Sequence, residues 1–148
     1  MKTSDSGQII TFYSYKGGTG RTMALANIAC LLGQGQPNKG AGSLPRVLAL
    51  DWDFEAPGLN RYFRPYLSTS AEARFETTPG CLDLFTVFDE RRAEFHPSDL
   101  VANREKAVEM LRALDFDSYL LPTRIPGLQI MTAGRMDTGY ARRVSEFQ

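Results

Sequence analysis

Five stretches of the chain carry a hydrophobic pattern clear enough to predict elements. The run Ile9-Ile10-Thr11-Phe12-Tyr13 is apolar and rich in β-branched and aromatic residues, and predicts a strand over about 9–14. Met23-Ala24-Leu25-Ala26 through Leu31-Leu32 has helical spacing, predicting a helix from about Gly20 to Leu32 with Gly33 as its stop. Arg46-Val47-Leu48-Ala49-Leu50-Asp51 is a continuous apolar run ending in an acid, as in a strand buried on both faces of a parallel sheet. Strand, helix and strand together predict a right-handed βαβ unit. Farther on, Leu82, Leu84, Phe85 and Phe88 would face inward from a short helix over 81–88. Leu100, Val101, Val108, Met110, Leu111 and Leu114 mark another helix over about 99–114, with Ser98 as a candidate N-cap.

The remainder is less patterned. Residues 34–45, rich in Gly, Pro, Asn and Ser, read as a surface loop. Residues 53–65 and 67–79 read as irregular. Tyr119-Leu120-Leu121 and Leu128-Gln129-Ile130-Met131 are strand candidates around a Pro-bounded turn, and 139–147 begins another helix. No internal repeat or low-complexity tract interrupts the chain. The expected fold class is α/β, a parallel sheet with helices on both faces.

Between the first predicted strand and helix lies Tyr15-Lys16-Gly17-Gly18-Thr19-Gly20-Arg21-Thr22. Glycines let consecutive backbone N–H groups turn toward one point, and a helix N-terminus adds partial positive charge, so this layout suits a polyanion. The common P-loop pattern G-x-x-x-x-G-K-[ST] fails twice, because Tyr15 stands at its first glycine and Arg21 at its lysine. The second chemical signal is Asp51-Trp52-Asp53-Phe54-Glu55-Ala56-Pro57-Gly58-Leu59, at the carboxyl end of a predicted strand, where open α/β sheets bind ligands. In extended chain Asp51 and Asp53 would point the same way, an arrangement that calls for a cation between them and a phosphate.

These residues resemble the deviant Walker A loop, K-G-G-x-G-K-[ST], of the ParA/MinD-like ATPases. Lys16, Gly17, Gly18, Gly20 and Thr22 match, and Arg21 departs. The wording is closer still to the bacterial "KGGxxxxT" branch, in which the arginine is usual. The resemblance is strong over residues 9–63 and weak beyond, where only 128–134 is similar to a later strand of that fold. It implies a P-loop NTPase fold binding ATP and Mg²⁺, with slow hydrolysis coupled to homodimerisation. Residues 16–23 (Lys16, Gly17, Gly18, Thr19, Gly20, Arg21, Thr22 and Met23) would cradle the nucleotide. Lys16 would reach across a dimer to the partner's nucleotide. Arg21 would contact the terminal phosphates in place of lysine, staying charged and able to fork onto two oxygens. Thr22 would ligate Mg²⁺, Asp51 would hold a Mg²⁺-bound water, and Asp53 would position the attacking water.

Two other readings stay open. One is a nucleotide-binding sensor or scaffold with little or no hydrolysis. The other is a phosphotransferase akin to bacterial tyrosine kinases, ranked last because only Tyr140 lies near the C-terminus. The family's Walker B strand finds no counterpart after Met131, so residues 1–148 are expected to form the N-terminal portion of one such domain, with an exposed apolar sheet edge.

Bulk properties narrow the partners. Seventeen basic and seventeen acidic residues leave no net charge to favour nucleic acid or an acidic membrane, and no run reaches transmembrane length. Cys30 and Cys81 lack metal or redox spacing, as suits thiols in a cytoplasmic protein. His96 reads as a surface residue and Trp52 as packed rather than stacked on a base. Tyr62, Phe63 and Tyr66 with Arg61 and Arg64 form either an interaction surface or core-edge packing, and Arg142-Arg143 a solvated helix face. A further protein partner is compatible with this chain but nothing in it names one.

Overall fold

The computed structural model describes residues 7–35, 46–93 and 104–147. Its elements, in chain order, are α1 (Arg21–Gln34), β1 (Val47–Leu50), α2 (Leu59–Phe63), a 3₁₀ turn (Arg64–Tyr66), α3 (Thr69–Arg74) and α4 (Cys81–Ala93). There follow α5 (Arg104–Arg112), a second 3₁₀ turn (Phe116–Tyr119), β2 (Leu121–Pro122), β3 (Leu128–Met131) and α6 (Tyr140–Phe147). The protein is thus mixed α/β, built on a small sheet of order β1-β3-β2.

β1 and β3 form the expected parallel pair, with Val47 opposite Leu128 and Leu50 opposite Met131. β2 runs antiparallel to β3, Leu121 opposite Ile130, so the sheet is mixed rather than wholly parallel. The reason is chain length: only residues 123–127 join β2 to β3, too few for a parallel crossover. Thr123 knots that turn, its hydroxyl donating to Leu128 O at 2.8 Å and accepting from Ile125 N at 3.1 Å. Pro122, which has no N–H to give, sits on the outer strand where none is required.

The strand expected over 9–14 does not form. Among the described residues this segment makes no backbone hydrogen bond to any strand, and Ile9 is 95% and Tyr13 70% exposed. A β-prone run becomes a strand only where an edge and covered faces receive it. The βαβ unit expected from residues 9 to 51 is accordingly absent, and among the described residues no strand pairs with the edge of β1 away from β3.

Alternation along the strands divides the core in two. Ala49, Leu128 and Ile130 face one cluster with Ala26 and Ala29 of α1 and Leu59 and Phe63 of α2. Leu50 and Met131 face the other, with Leu82 of α4 and Tyr140 and Val144 of α6. Helices therefore cover both faces. Gly33 does not stop α1. It is buried inside it, where an added Cβ would lie 2.8 Å from Leu128 Cβ, so its bareness lets α1 press onto β3. The stop is Gly35, at φ 72°.

The stretches 53–65 and 67–79 are not irregular throughout, since they hold α2 and α3. Each is too short to be stable alone and owes its existence to burial of Leu59 and Phe63, or of Ala71. Ser68 caps α3 by accepting from Ala71 N at 3.2 Å. α4 continues beyond the expected 88 to Ala93, and Tyr119 closes a 3₁₀ turn instead of opening a strand. The expectations for His96, Ser98, Leu100 and Val101, and for most of the loop over 34–45, lie outside the described residues. Among the described residues no helix is long and apolar enough to cross a membrane.

Candidate functional site

Residues 15–20 turn tightly ahead of α1, and the turn needs its glycines. Gly18 and Gly20 have φ of 73° and 79°, in the left-handed region that a side chain disfavours. Ser14 braces the loop: its hydroxyl donates to Lys16 O at 3.0 Å and lies 2.9 Å from Thr19 Oγ1. Lys16, Gly17, Gly18 and Thr19 are exposed, and among the described residues a Cβ on Gly17 or Gly18 would meet nothing within 4 Å. Internal packing therefore does not explain the bare backbone at Gly17.

α1 begins without a cap. Gly20 offers no side chain, no acid stands in the first turn, and the first helical N–H to find a partner is that of Ala24, on Gly20 O at 2.9 Å. Among the described residues the N–H groups of 17–23 make no hydrogen bond within the chain. Water satisfies such donors at a surface, and an anion satisfies them with the helix dipole in its favour. Met23 is half exposed, with its methyl group against Gly20.

The acidic segment after β1 comes to this loop. Arg21 Nη1 donates to Ser14 O at 3.2 Å, and its Nη2 lies 3.5 Å from Asp53 Oδ2. Both side chains are about one-third exposed, so the pair is solvent-screened and exchangeable. Thr22 packs on the same segment: a Cβ on Gly58 would lie 3.6 Å from Thr22 Oγ1. Among the described residues Lys16 takes part in no ion pair.

Asp51 and Asp53 take different partners. Backbone pairing ends at Asp51, whose N–H donates to Met131 O, and the chain then bends. Asp51 is buried and accepts three backbone N–H groups: Asp53 at 3.1 Å on Oδ1, and Gly58 at 3.1 Å and Leu59 at 3.0 Å on Oδ2. It thereby closes the loop and caps α2. Burial pushes its carboxyl above the ordinary range, the three amides oppose that, and the nearby Asp53 charge adds to it. About one of its four lone-pair sites is left for anything else. Asp53 is more open. Its Oδ1 accepts from Ala56 N at 3.1 Å while Oδ2 faces Arg21.

The residues flanking Asp53 are anchored. Trp52 stacks on Phe54 at 5.8 Å and meets the edge of Phe85 at 5.0 Å, packing as expected though 58% exposed. The Tyr140 hydroxyl of α6 donates to Phe54 O at 2.9 Å. Sequence reasoning gave no role to Ser14 or Tyr140. Ser14 belongs to no periodic pattern, and Tyr140 is 86 positions away from its partner, a separation no local signal spans.

Other expectations resolve away from the site. Arg142 is solvated, but Arg143 is not: its side chain is 18% exposed and bonds Asp137 at 2.9 Å beside the buried Asp83. Of the Tyr62–Tyr66 group, Phe63 is in the core and Arg64 lies over Phe75 and pairs with Glu76, while Arg61, Tyr62 and Tyr66 are exposed. Cys81 is buried and its thiol is pushed up to about 12 by that burial and the Asp51 charge. Two clefts, of about 540 and 330 Å³, lie along α5 and between α4 and Arg143, away from the glycine loop, which is open surface. The lining of neither cleft includes a residue of the loop; a phosphate cradle is made of backbone amides and needs no enclosed cavity.

Among the described residues no group of three or more His, Cys, Asp or Glu side chains could hold a metal alone. A cation here would need phosphate oxygens beside Thr22 and the acids, and the open cradle over Gly17 and Gly18 leaves room for such phosphates. No family model, curated protein or solved structure matches the chain.

Proposed function

We propose that residues 16–23 bind the phosphates of a nucleoside triphosphate, ATP, with Mg²⁺, and that the protein is a slow, dimerising switch ATPase of the ParA/MinD-like kind acting in the cytoplasm. The observation that carries this reading is the row of N–H groups over 17–23 that have no partner among the described residues, flanked by two cations and in contact with the acidic loop. Mg²⁺, when bound, supplies positive charge that neutralises the outer phosphates. The Thr22 hydroxyl would be its protein ligand, with Asp51 holding one of its waters. Arg21 would move its fork from Asp53 to phosphate oxygens. Asp53, so released, would orient a water for attack. Lys16, exposed and in no ion pair among the described residues, is suited to reach the nucleotide of a second copy. The P-loop NTPase architecture is part of this proposal. So is the idea that residues 1–148 are one portion of such a domain, to which the edge of β1, unpaired among the described residues, lends support.

A second reading has its own observation. Asp53 is engaged by Arg21 and by Ala56 N, an arrangement compatible with a sensor or scaffold that binds nucleotide and does not turn it over. Calorimetric titration with Mg²⁺-ATP, combined with steady-state phosphate release, tests both. Thr22→Ala and Lys16→Ala are expected to weaken binding or dimer formation, and Asp53→Ala to spare binding and suppress turnover. Binding without any phosphate release in the parent selects the sensor. Absence of binding in the parent, or three variants identical to it, defeats both readings.

A further inference from the structure

Asp53 is held in place from a distance. The residues on either side of it, Trp52 and Phe54, lie in a box of aromatic rings completed by Phe85 of α4 and Phe147 of α6. Phe147 meets Phe54 edge to face at 5.3 Å and Phe85 at 5.2 Å. Seven residues earlier on the same helix face, with Val144 between, Tyr140 donates to the Phe54 carbonyl. α6 thus grips Phe54 twice, by ring and by backbone. The helix is itself moored, since Arg143 bonds Arg135 O at 2.9 Å and Asp137 at 2.9 Å, next to the buried Asp83 carboxylate.

The acidic loop needs such a grip. Apart from Phe54 N on Trp52 O at 3.2 Å, its inner hydrogen bonds among the described residues run to two carboxylates, Asp51 and Asp53, and the Asp53 Oδ2 contact to Arg21 is solvent-screened. A segment with few buried contacts of its own opens locally unless neighbouring elements hold it. Burial, with the Asp51 and Asp53 charges, raises the Tyr140 phenol, which keeps it a hydrogen donor.

We infer that α6 is a strap on the acidic loop, and that Tyr140 and Phe147 are positioning residues which, through Phe54, hold Asp53 within reach of Arg21. The strap itself is independent of any ligand. Its consequence for turnover rests on the ATPase reading above.

Residue-resolved amide hydrogen exchange on the full chain tests it. In Tyr140→Phe and in Phe147→Ala, the amides of Asp53, Ala56, Gly58 and Leu59 are expected to exchange roughly fivefold faster, the effect of losing about one hydrogen bond or ring contact. Amides on the other face of the sheet, such as Ser68 and Thr123, are expected to stay within about twofold of the parent, which a general loss of stability would not allow. Arg142→Ala, on the same helix but solvated, is expected to change neither set. Unchanged exchange at 53–59 in both variants, or an equal rise at every site, overturns the strap. Where the parent hydrolyses ATP, Tyr140→Phe is expected to lower kcat about fivefold with nucleotide affinity within about twofold. A parent that binds no nucleotide would defeat the ATPase reading and leave the exchange result to judge the strap alone.

Discussion

Gly17 and Gly18 separate the needs of the fold from those of a ligand. Among the described residues neither glycine has an atom within 4 Å of where a Cβ would stand, but only Gly18 has positive φ. Gly17→Ala therefore meets no clash and no strain, and it shortens the list of unfolded conformations. It is expected to stabilise the free protein by about 0.4–1 kcal/mol, or about 1–4 °C in Tm. Gly18→Ala must hold a side chain at φ 73°, costing about 1–2 kcal/mol and about 2–8 °C. With ligand the order changes. A ligand at a hundred times its Kd adds about 2.7 kcal/mol to the parent, about 5–11 °C. A methyl group at Gly17 would stand where phosphate oxygens approach the amides. A tenfold loss of affinity leaves about 1.4 kcal/mol of that gain. Thermal unfolding followed by circular dichroism, with and without Mg²⁺-ATP, gives both quantities for each variant. The cradle is refuted if Gly17→Ala keeps the parent's full ligand-induced shift, and the packing argument is refuted if Gly17→Ala lowers Tm without ligand.

Three further outcomes follow from the geometry. Asp51→Ala orphans three backbone N–H groups, of which that of Leu59 is buried, and is expected to cost about 2–4 kcal/mol in urea unfolding. Because the folded carboxyl of Asp51 is raised, its contribution is largest when protonated and declines as pH rises from its ordinary 3.8 through the raised value; the gap between parent and variant should widen toward acid pH, and a gap that narrows would contradict the burial. Gly80→Ala would drive a Cβ to 2.5 Å from Gly134 N, backbone against backbone, where α4 hangs on the chain after β3 through Cys81 N to Thr132 O at 2.8 Å; a loss of about 3 kcal/mol is expected, and a variant as stable as the parent would contradict the close approach. Burial raises both thiols, that of Cys81 to about 12, so iodoacetamide at alkaline pH should modify the partly exposed Cys30 faster than the buried Cys81 until urea exposes both; mass spectrometry of the folded protein decides it.

The pattern of residues by itself determined the local elements whose signals are local. β1, β3, α1 and α6 stand about where their apolar runs put them, because such runs are written in a few adjacent positions, but Leu48 of β1 is half exposed rather than buried on both faces, and α1 stops at Gly35 rather than Gly33. The glycine loop and the acids after β1 were legible for the same reason, as compositions that only special backbone or charge chemistry requires. Tertiary structure alone decided what depends on neighbours. Residues 9–14 have every strand propensity and form none, since no edge pairs with them, while α2 and α3 have little signal and form because Phe63 and Ala71 find cover. The site shows the same division. Asp51 and Asp53 could be named from the chain, but not that one is consumed in capping α2 while the other faces Arg21. Nor could the chain reveal that Tyr140, 86 residues on, holds the carbonyl beside it. A hydrogen bond acts over about 3 Å of space whatever the separation in sequence, so contacts between distant segments appear only once the chain has folded.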